Sequence, residues 1–137
     1  MTGYRGYISS RPFRGHHAPQ RVQNLVIRSY CSSHNMTLLL SATEYAMPDS
    51  FLILEDLVKH IATLDGIVLY SMLQLPHEED FRNRIVCNVI DAEKTLHFAS
   101  ESFSITKPSD ILRLKDIFKL RNIINRAPSL EYLKTLL

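Results

Sequence analysis

The sequence predicts an α/β fold: a small open, mainly parallel sheet of four or more strands flanked by helices, with further helices at the C-terminus. Three observations predict it. Short apolar runs alternate with longer runs of helical period along the chain. The third short run, residues 67–71 (IVLYS), is apolar on both faces, as a central parallel strand requires. Hydrophobic residues make up 45 % of the 137 residues, which suits one domain around one core.

The first strand is expected at residues 6–9, just after the Gly-punctuated start. Residues 10–18 are polar and read as a loop, and Pro19 fits a first helical position. Val22, Leu25, Val26 and Tyr30 follow helical spacing and predict an apolar stripe on a helix ending near residues 33–35. Residues 37–41 (TLLLS) read as the second strand, and 42–48 as a loop in which Asp49 or Ser50, just beyond, caps the next helix. Phe51, Leu54, Leu57, Val58 and Ile61 give that helix its buried face. Asp65 and Gly66 read as a turn before the third strand. Pro76 followed by Glu78, Glu79 and Asp80 suits a helix first turn, where acids meet the positive dipole end. Phe81, Ile85, Val89 and Ile90 form its stripe. Residues 95–99 are the fourth strand and 100–104 a loop. A helix opens at Pro108 and runs to about Asn125, carrying Ile111, Leu114, Ile117, Phe118 and Ile124. A short helix over 129–137 ends the chain. The expected organisation is a single domain, with an α/β core at 1–105 and a helical extension at 106–137.

Charge is unevenly distributed. Residues 1–43 hold five arginines (Arg5, Arg11, Arg14, Arg21, Arg28) and no acid, whereas the rest holds 11 Lys and Arg against 14 Asp and Glu. In an open α/β sheet, ligands sit outside the carboxyl ends of the strands. The loop after the first strand brings Ser9, Ser10, Arg11, Arg14 and His17 to that end, followed by Gln20 at the helix start. Arginines bind phosphate or carboxylate bidentately, and a helix N-terminus adds partial positive charge. This cluster is the expected anion site. The alternative is a solvated basic loop. It lacks the glycine spacing of a dinucleotide fingerprint or a P-loop.

Two further groups fall at strand ends. Glu44 is placed to act as a general base or to bind sugar hydroxyls, and Tyr45 to donate a proton or stack on a ring; alternatively Glu44 pairs with an arginine and Tyr45 packs. Tyr70 and Ser71 put a hydroxyl pair at the centre of the sheet, Tyr70 as a catalytic candidate and Ser71 as a ligand-binding one. The six histidines are scattered, no Cys/His spacing resembles a zinc site, and neither a metal nor a cofactor is expected. Cys31 and Cys87 lie in apolar helical patterns and read as free thiols. No apolar run approaches ~18 residues and no signal-like start is visible, so no membrane partner and a cytoplasmic location are expected. The basic residues lack aromatic interleaving, so nucleic acid is not the expected partner. Apolar residues after the fourth strand suggest a homo-oligomer.

Two resemblances arise at these residues. The order of elements, the start Gly6-Tyr7-Ile8-Ser9-Ser10, and Asp65-Gly66-Ile67-Val68-Leu69-Tyr70 resemble the N-terminal catalytic domain of serine resolvases and invertases over roughly residues 4–105. This implies a resolvase-like or flavodoxin-like sheet. The chemistry does not transfer: aligning Gly6-Tyr7 puts Ser9 where that family has its first catalytic arginine and Arg11 where it has its nucleophilic serine. After the third strand the family's Asp-Arg-Leu-Gly-Arg pattern is replaced by Leu73-Gln74-Leu75-Pro76-His77, and no DNA-binding helix-turn-helix follows.

The stretches 6–15 (GYISSRPFRG), 19–31 (PQRVQNLVIRSYC), 39–48 (LLSATEYAMP) and 64–76 (LDGIVLYSMLQLP) resemble the sporadic carbohydrate cluster proteins of bacteria. That resemblance implies a cytoplasmic role in surface polysaccharide or lipopolysaccharide biosynthesis. The ligand it implies is an anionic sugar, either a sugar phosphate or a nucleotide sugar. If the protein is an enzyme, the implied class is an isomerase, epimerase or lyase. The alternative is a non-catalytic binding or assembly module, and a more distant one a degenerate resolvase-like nucleic-acid binder.

Overall fold

The computed structural model describes residues 2–10, 18–44 and 50–126, with side chains described to residue 120. Five strands form one sheet in the order β2-β1-β3-β4-β5, with β1 Tyr4–Ser9, β2 Ala42–Glu44, β3 Gly66–Leu69, β4 Thr95–Phe98 and β5 Phe103–Ile105. The first four are mutually parallel, and β5 runs antiparallel to β4. The helices are α1 Gln20–Ser33, α2 Leu52–Lys59, α3 Glu79–Asp91 and α4 Pro108–Arg126. This is the mainly parallel α/β sheet expected from the sequence.

Every residue of β3 is buried, in keeping with its place between β1 and β4. The two faces of the sheet are covered unequally. Tyr7, Ile67, Leu69, Leu96, Phe98 and Ile105 face a core shared with α2, α3 and α4. Ile8, Val68 and Ala99 face a smaller core closed by Ile27, Tyr30 and Cys31 of α1. Leu114 and Phe118 bring α4 into the larger core. There the Arg82 guanidinium lies 4.0 Å over the Phe118 ring and donates to the Pro76 and His77 carbonyls.

Five expectations need correction. The second strand is Ala42–Glu44, in what reads as a loop, rather than residues 37–41. The latter segment reaches β1 only through the Tyr4–Leu38 bridge and two backbone bonds, Tyr4 N to Thr37 O and Leu39 N to Tyr4 O. Gly3 and Gly6 permit this approach: a Cβ on Gly6 would lie 2.4 Å from Ser41 Oγ, and one on Gly3 2.9 Å from Thr37 O. The third strand starts at Gly66 and stops at Leu69, because Ser71 turns the chain into a 3-10 turn, Met72–Gln74. Residues 103–105, expected as loop, are β5. The tight turn before it places Ser102 at φ 50°, a left-handed conformation that a Gly or Asn would have advertised.

The stripe on α1 is also displaced. Its buried residues are Gln23, Ile27, Tyr30 and Cys31, while Val22 and Leu25 are exposed. Both sets satisfy helical spacing, and the correct one is disguised by an amide at its head. The start of α2 is not capped by Ser50. Ser50 donates to the Glu44 carboxylate at 3.5 Å, while Asp49 lies outside the described residues. The carboxylate itself accepts from the first backbone N–H groups of α2.

Candidate anion site at the carboxyl ends of the strands

The polar groups at this end are organised around Gln23. Its side chain is fully buried in the first turn of α1 and makes four hydrogen bonds. Ser9 N donates to its Oε1 at 2.9 Å, and its Nε2 donates to Ser9 O at 2.8 Å and Ala18 O at 2.7 Å. Gln74 Nε2 donates to the same Oε1 at 3.0 Å. All four capacities of one amide are therefore met. Ser9 ends β1 and Ala18 precedes α1, so one side chain holds both flanks of the basic stretch 10–17.

Gln74 links this clamp to the end of β3. Its Oε1 accepts from Ser71 N, while Ser71 Oγ accepts from Leu73 N, which is a capping box for the 3-10 turn. Glu101, beyond β4, completes the belt by accepting from Ser71 Oγ at 2.7 Å and Met72 N at 3.0 Å. A continuous line of hydrogen bonds thus runs Ser9–Gln23–Gln74–Ser71–Glu101 across the ends of three strands.

Glu44 ends β2 and is fully buried. Its Oε1 accepts from the Tyr7 hydroxyl at 2.9 Å and from Leu54 N at 3.2 Å, and both oxygens lie 3.2 Å from Ile53 N. A carboxylate here meets the positive end of the α2 dipole and satisfies N–H groups that a helix start leaves open. The geometry gives Glu44 the work of a long-range helix cap.

The remaining candidates divide by position. Ser10 is half-buried, and both its N–H and its hydroxyl donate to Glu44 O, at 3.4 and 3.0 Å. Ser9 is buried and Gln20 is exposed at the start of α1. Tyr70 is half-buried and packs against both cores. It follows β3, whereas Glu44 ends β2, and β1 lies between them, a separation of about two strand spacings, ~10 Å of backbone. The structure therefore gathers Ser9 and Ser10 near Glu44, and joins Ser71 to Glu101 instead. Arg11, Arg14, His17 and Tyr45 lie outside the described residues.

Gln23, Gln74, Glu101 and Tyr7 escape the sequence reading. Gln23 had a signal, since it leads the spacing Gln23, Ile27, Tyr30, Cys31. Glu101 had none, because its partners are 29 and 30 residues away. Among the described residues no group of three or more His, Cys, Asp and Glu is placed to hold a metal ion, and no helix is long and apolar enough to cross a membrane.

No protein-family model matches the sequence. No curated protein matches it either. Among solved structures, the chain is similar to the N-terminal catalytic domain of TP901-1 integrase, with a TM-score of 0.52 and 16 % identity over 89 % of this chain and 96 % of that one. At that identity the likeness is one of fold.

Proposed function

We propose that this chain is a non-catalytic phosphate-binding module on a recombinase-domain type of scaffold. The observation that carries the reading is the Gln23 clamp: Ser9 and Ala18 are fixed at the carboxyl ends of the strands by one buried amide. Between them the sequence places Arg11, Arg14, His16 and His17, followed by the α1 N-terminus. Two arginines ahead of a helix start are suited to a phosphate group. The reading is non-catalytic because the described hydroxyls and carboxylates at this end carry structural bonds. Glu44 caps α2, Ser71 bonds Glu101, and Ser10 bonds Glu44 O.

The phosphate belongs to one of two ligand classes. A sugar phosphate or nucleotide sugar is what the carbohydrate-cluster resemblance implies. The second reading, a DNA backbone, is favoured by the likeness to an integrase catalytic domain. The free thiols Cys31 and Cys87 fit a reducing cytoplasm, and the exposed Leu112 and Leu120 of α4 fit a self-associating surface.

Calorimetric titration with pyrophosphate, a nucleotide sugar and a 20-base-pair duplex, each at 50 and 200 mM salt, tests the reading. At least one phosphate ligand binds, the double variant Arg11→Ala/Arg14→Ala loses binding at least tenfold, and mass spectrometry recovers the ligand unchanged. A steep loss of duplex affinity with salt assigns the site to nucleic acid. Turnover of any ligand, or equal binding by the double variant, overturns the proposal.

A further inference from the structure

The sheet edge next to β2 is built differently from the carboxyl-end site. Residues 36–43 (MTLLLSAT) contain no charged side chain, and they run along the outer edge of β1 from the Tyr4–Leu38 bridge into β2. Leu40 is 85 % exposed and Leu39 36 % exposed. Within them Leu38, by its bridge to Tyr4, and Ala42 and Thr43, by their register with β1, face the sheet on one side only. Folds usually blunt such an edge with charge, proline or a covering element, because its unpaired backbone groups and apolar side chains recruit another strand. Among the described residues no strand pairs with the outer side of β2.

A groove of ≈ 810 Å³ follows this edge, lined by Leu38, Leu39, Leu40 and Ser41 on one side and Asn24 and Arg28 of α1 on the other. Its charge is of one sign. Arg28 is exposed, and Arg21 stands seven residues earlier on the same flank of α1. Neither has a carboxylate within ion-pair distance among the described residues. Arg5 lies across the segment, donating through Nε to Leu40 O.

We infer that this edge is a docking site for an extended, acidic strand of a partner protein. The partner adds to the sheet beside residues 37–43, sets apolar side chains against Leu39 and Leu40, and places carboxylates against Arg28 and Arg21. Charge selects this occupant over a second copy of the chain. Two copies paired edge to edge would bring two acid-free, arginine-bearing surfaces together, and like charges at an interface oppose association.

The test is selection of a random twelve-residue peptide library on the intact protein, with amide chemical shifts of the labelled protein as a second readout. Selected peptides are expected to alternate apolar and acidic residues, and to shift the amides of residues 37–43. Arg28→Glu is expected to weaken them at least tenfold and, on reselection, to enrich basic peptides. Leu40→Asp weakens the acidic set while leaving the thermal melt unchanged, since its side chain is largely in solvent. The proposal is overturned if no peptide is selected, if selection shows no acidic preference, or if the shifts fall elsewhere. It is equally overturned if Leu40→Asp converts a dimer to a monomer, which would assign the edge to a second copy.

Discussion

Gln23 holds Ser9 by both of its backbone groups, accepting from Ser9 N at 2.9 Å and donating to Ser9 O at 2.8 Å. The same Nε2 reaches Ala18 O, eight residues from Ser10 along the chain but on the same side chain in space. Closing a loop costs entropy, and the buried Gln23 side chain contributes to that closure by holding both flanks.

Replacing Gln23 by Leu keeps the volume and strands Ser9 N, Ser9 O, Ala18 O and Gln74 Nε2. Buried groups left without partners cost ~1–3 kcal/mol each before relaxation. We expect Gln23→Leu to lose about 3 kcal/mol or more in urea unfolding. Gln23→Glu discriminates further. Its ionised carboxylate would face two carbonyl oxygens, and protonation restores a donor, so this variant should regain stability relative to the parent as pH falls. A pH-independent difference would show that the Nε2 bonds contribute little.

The Tyr7–Glu44 pair predicts a measurable coupling. Tyr7→Phe removes a 2.9 Å bond to a buried carboxylate and should cost about 1–2 kcal/mol. Glu44→Gln keeps one acceptor but turns an N–H pair toward the start of α2, and should cost about 2 kcal/mol. Because the two groups touch, the double variant should lose less than the sum, by about 0.5–1.5 kcal/mol in a double-mutant cycle. Strict additivity would mean that the hydroxyl and carboxylate do not interact in solution.

Gly6→Ala should destabilise through one identifiable neighbour. The new Cβ would fall 2.4 Å from Ser41 Oγ and 3.2 Å from Ser41 Cβ. Such an overlap inside a packed sheet typically costs ~1–3 kcal/mol. Adding Ser41→Gly to Gly6→Ala removes both contacts, so the pair should recover most of the loss after subtracting the cost of Ser41→Gly alone. No recovery would place the strain elsewhere, with Ile27 Cγ2 at 3.5 Å the next neighbour.

The fold class was legible because its signals are local. The apolar run of β3, the acidic first turn of α3 and the stripe Leu54, Leu57, Val58 each sit within one element, whereas Ile61 falls in the 3-10 turn Ile61–Thr63 that follows α2. The errors arise where tertiary partners decide. TLLLS has the better strand composition, but ATE holds the register with β1 through Tyr7–Ala42 and Ser9–Glu44. In α1, an apolar pattern through Val22 and Leu25 competes with one headed by Gln23, and the amide's four bonds together with the burial of Ile27 and Cys31 favour the latter. Ser9, Ser10, Glu44 and Ser71 lie at or just beyond strand ends, but their partners Gln23, Tyr7 and Glu101 come from distant segments. No single stretch of sequence records those pairings.

Acid sensitivity should come first from His97. Its Nδ1 shares a 2.8 Å hydrogen bond with the Tyr30 hydroxyl and its Nε2 a 2.9 Å bond with Thr95 Oγ1. Tyr4 meets the ring edge-on, and no carboxylate is among these neighbours. Burial, with a smaller push from His34, lowers its pKa from 6.5 to about 4. Above pH 6.5 the imidazole is neutral whether folded or unfolded. Between 6.5 and about 4 the unfolded chain takes up a proton that the folded chain refuses, so stability falls as pH falls. Below about 4 both states are protonated and this contribution to the slope ends. The full shift corresponds to at most about 3 kcal/mol. Asp110 acts in a separate window: the Thr106 N–H holds its carboxyl below the ordinary 3.8, so its contribution is present above that value and lost below it. Urea unfolding from pH 8 to pH 3 resolves the two. His97→Gln should flatten the curve between pH 6.5 and 4 and leave the lower limb, whereas Asp110→Asn should do the reverse. An unchanged upper slope in His97→Gln would mean that the imidazole is open to protonation in the folded protein and that the Tyr30–His97–Thr95 line is not held closed in solution.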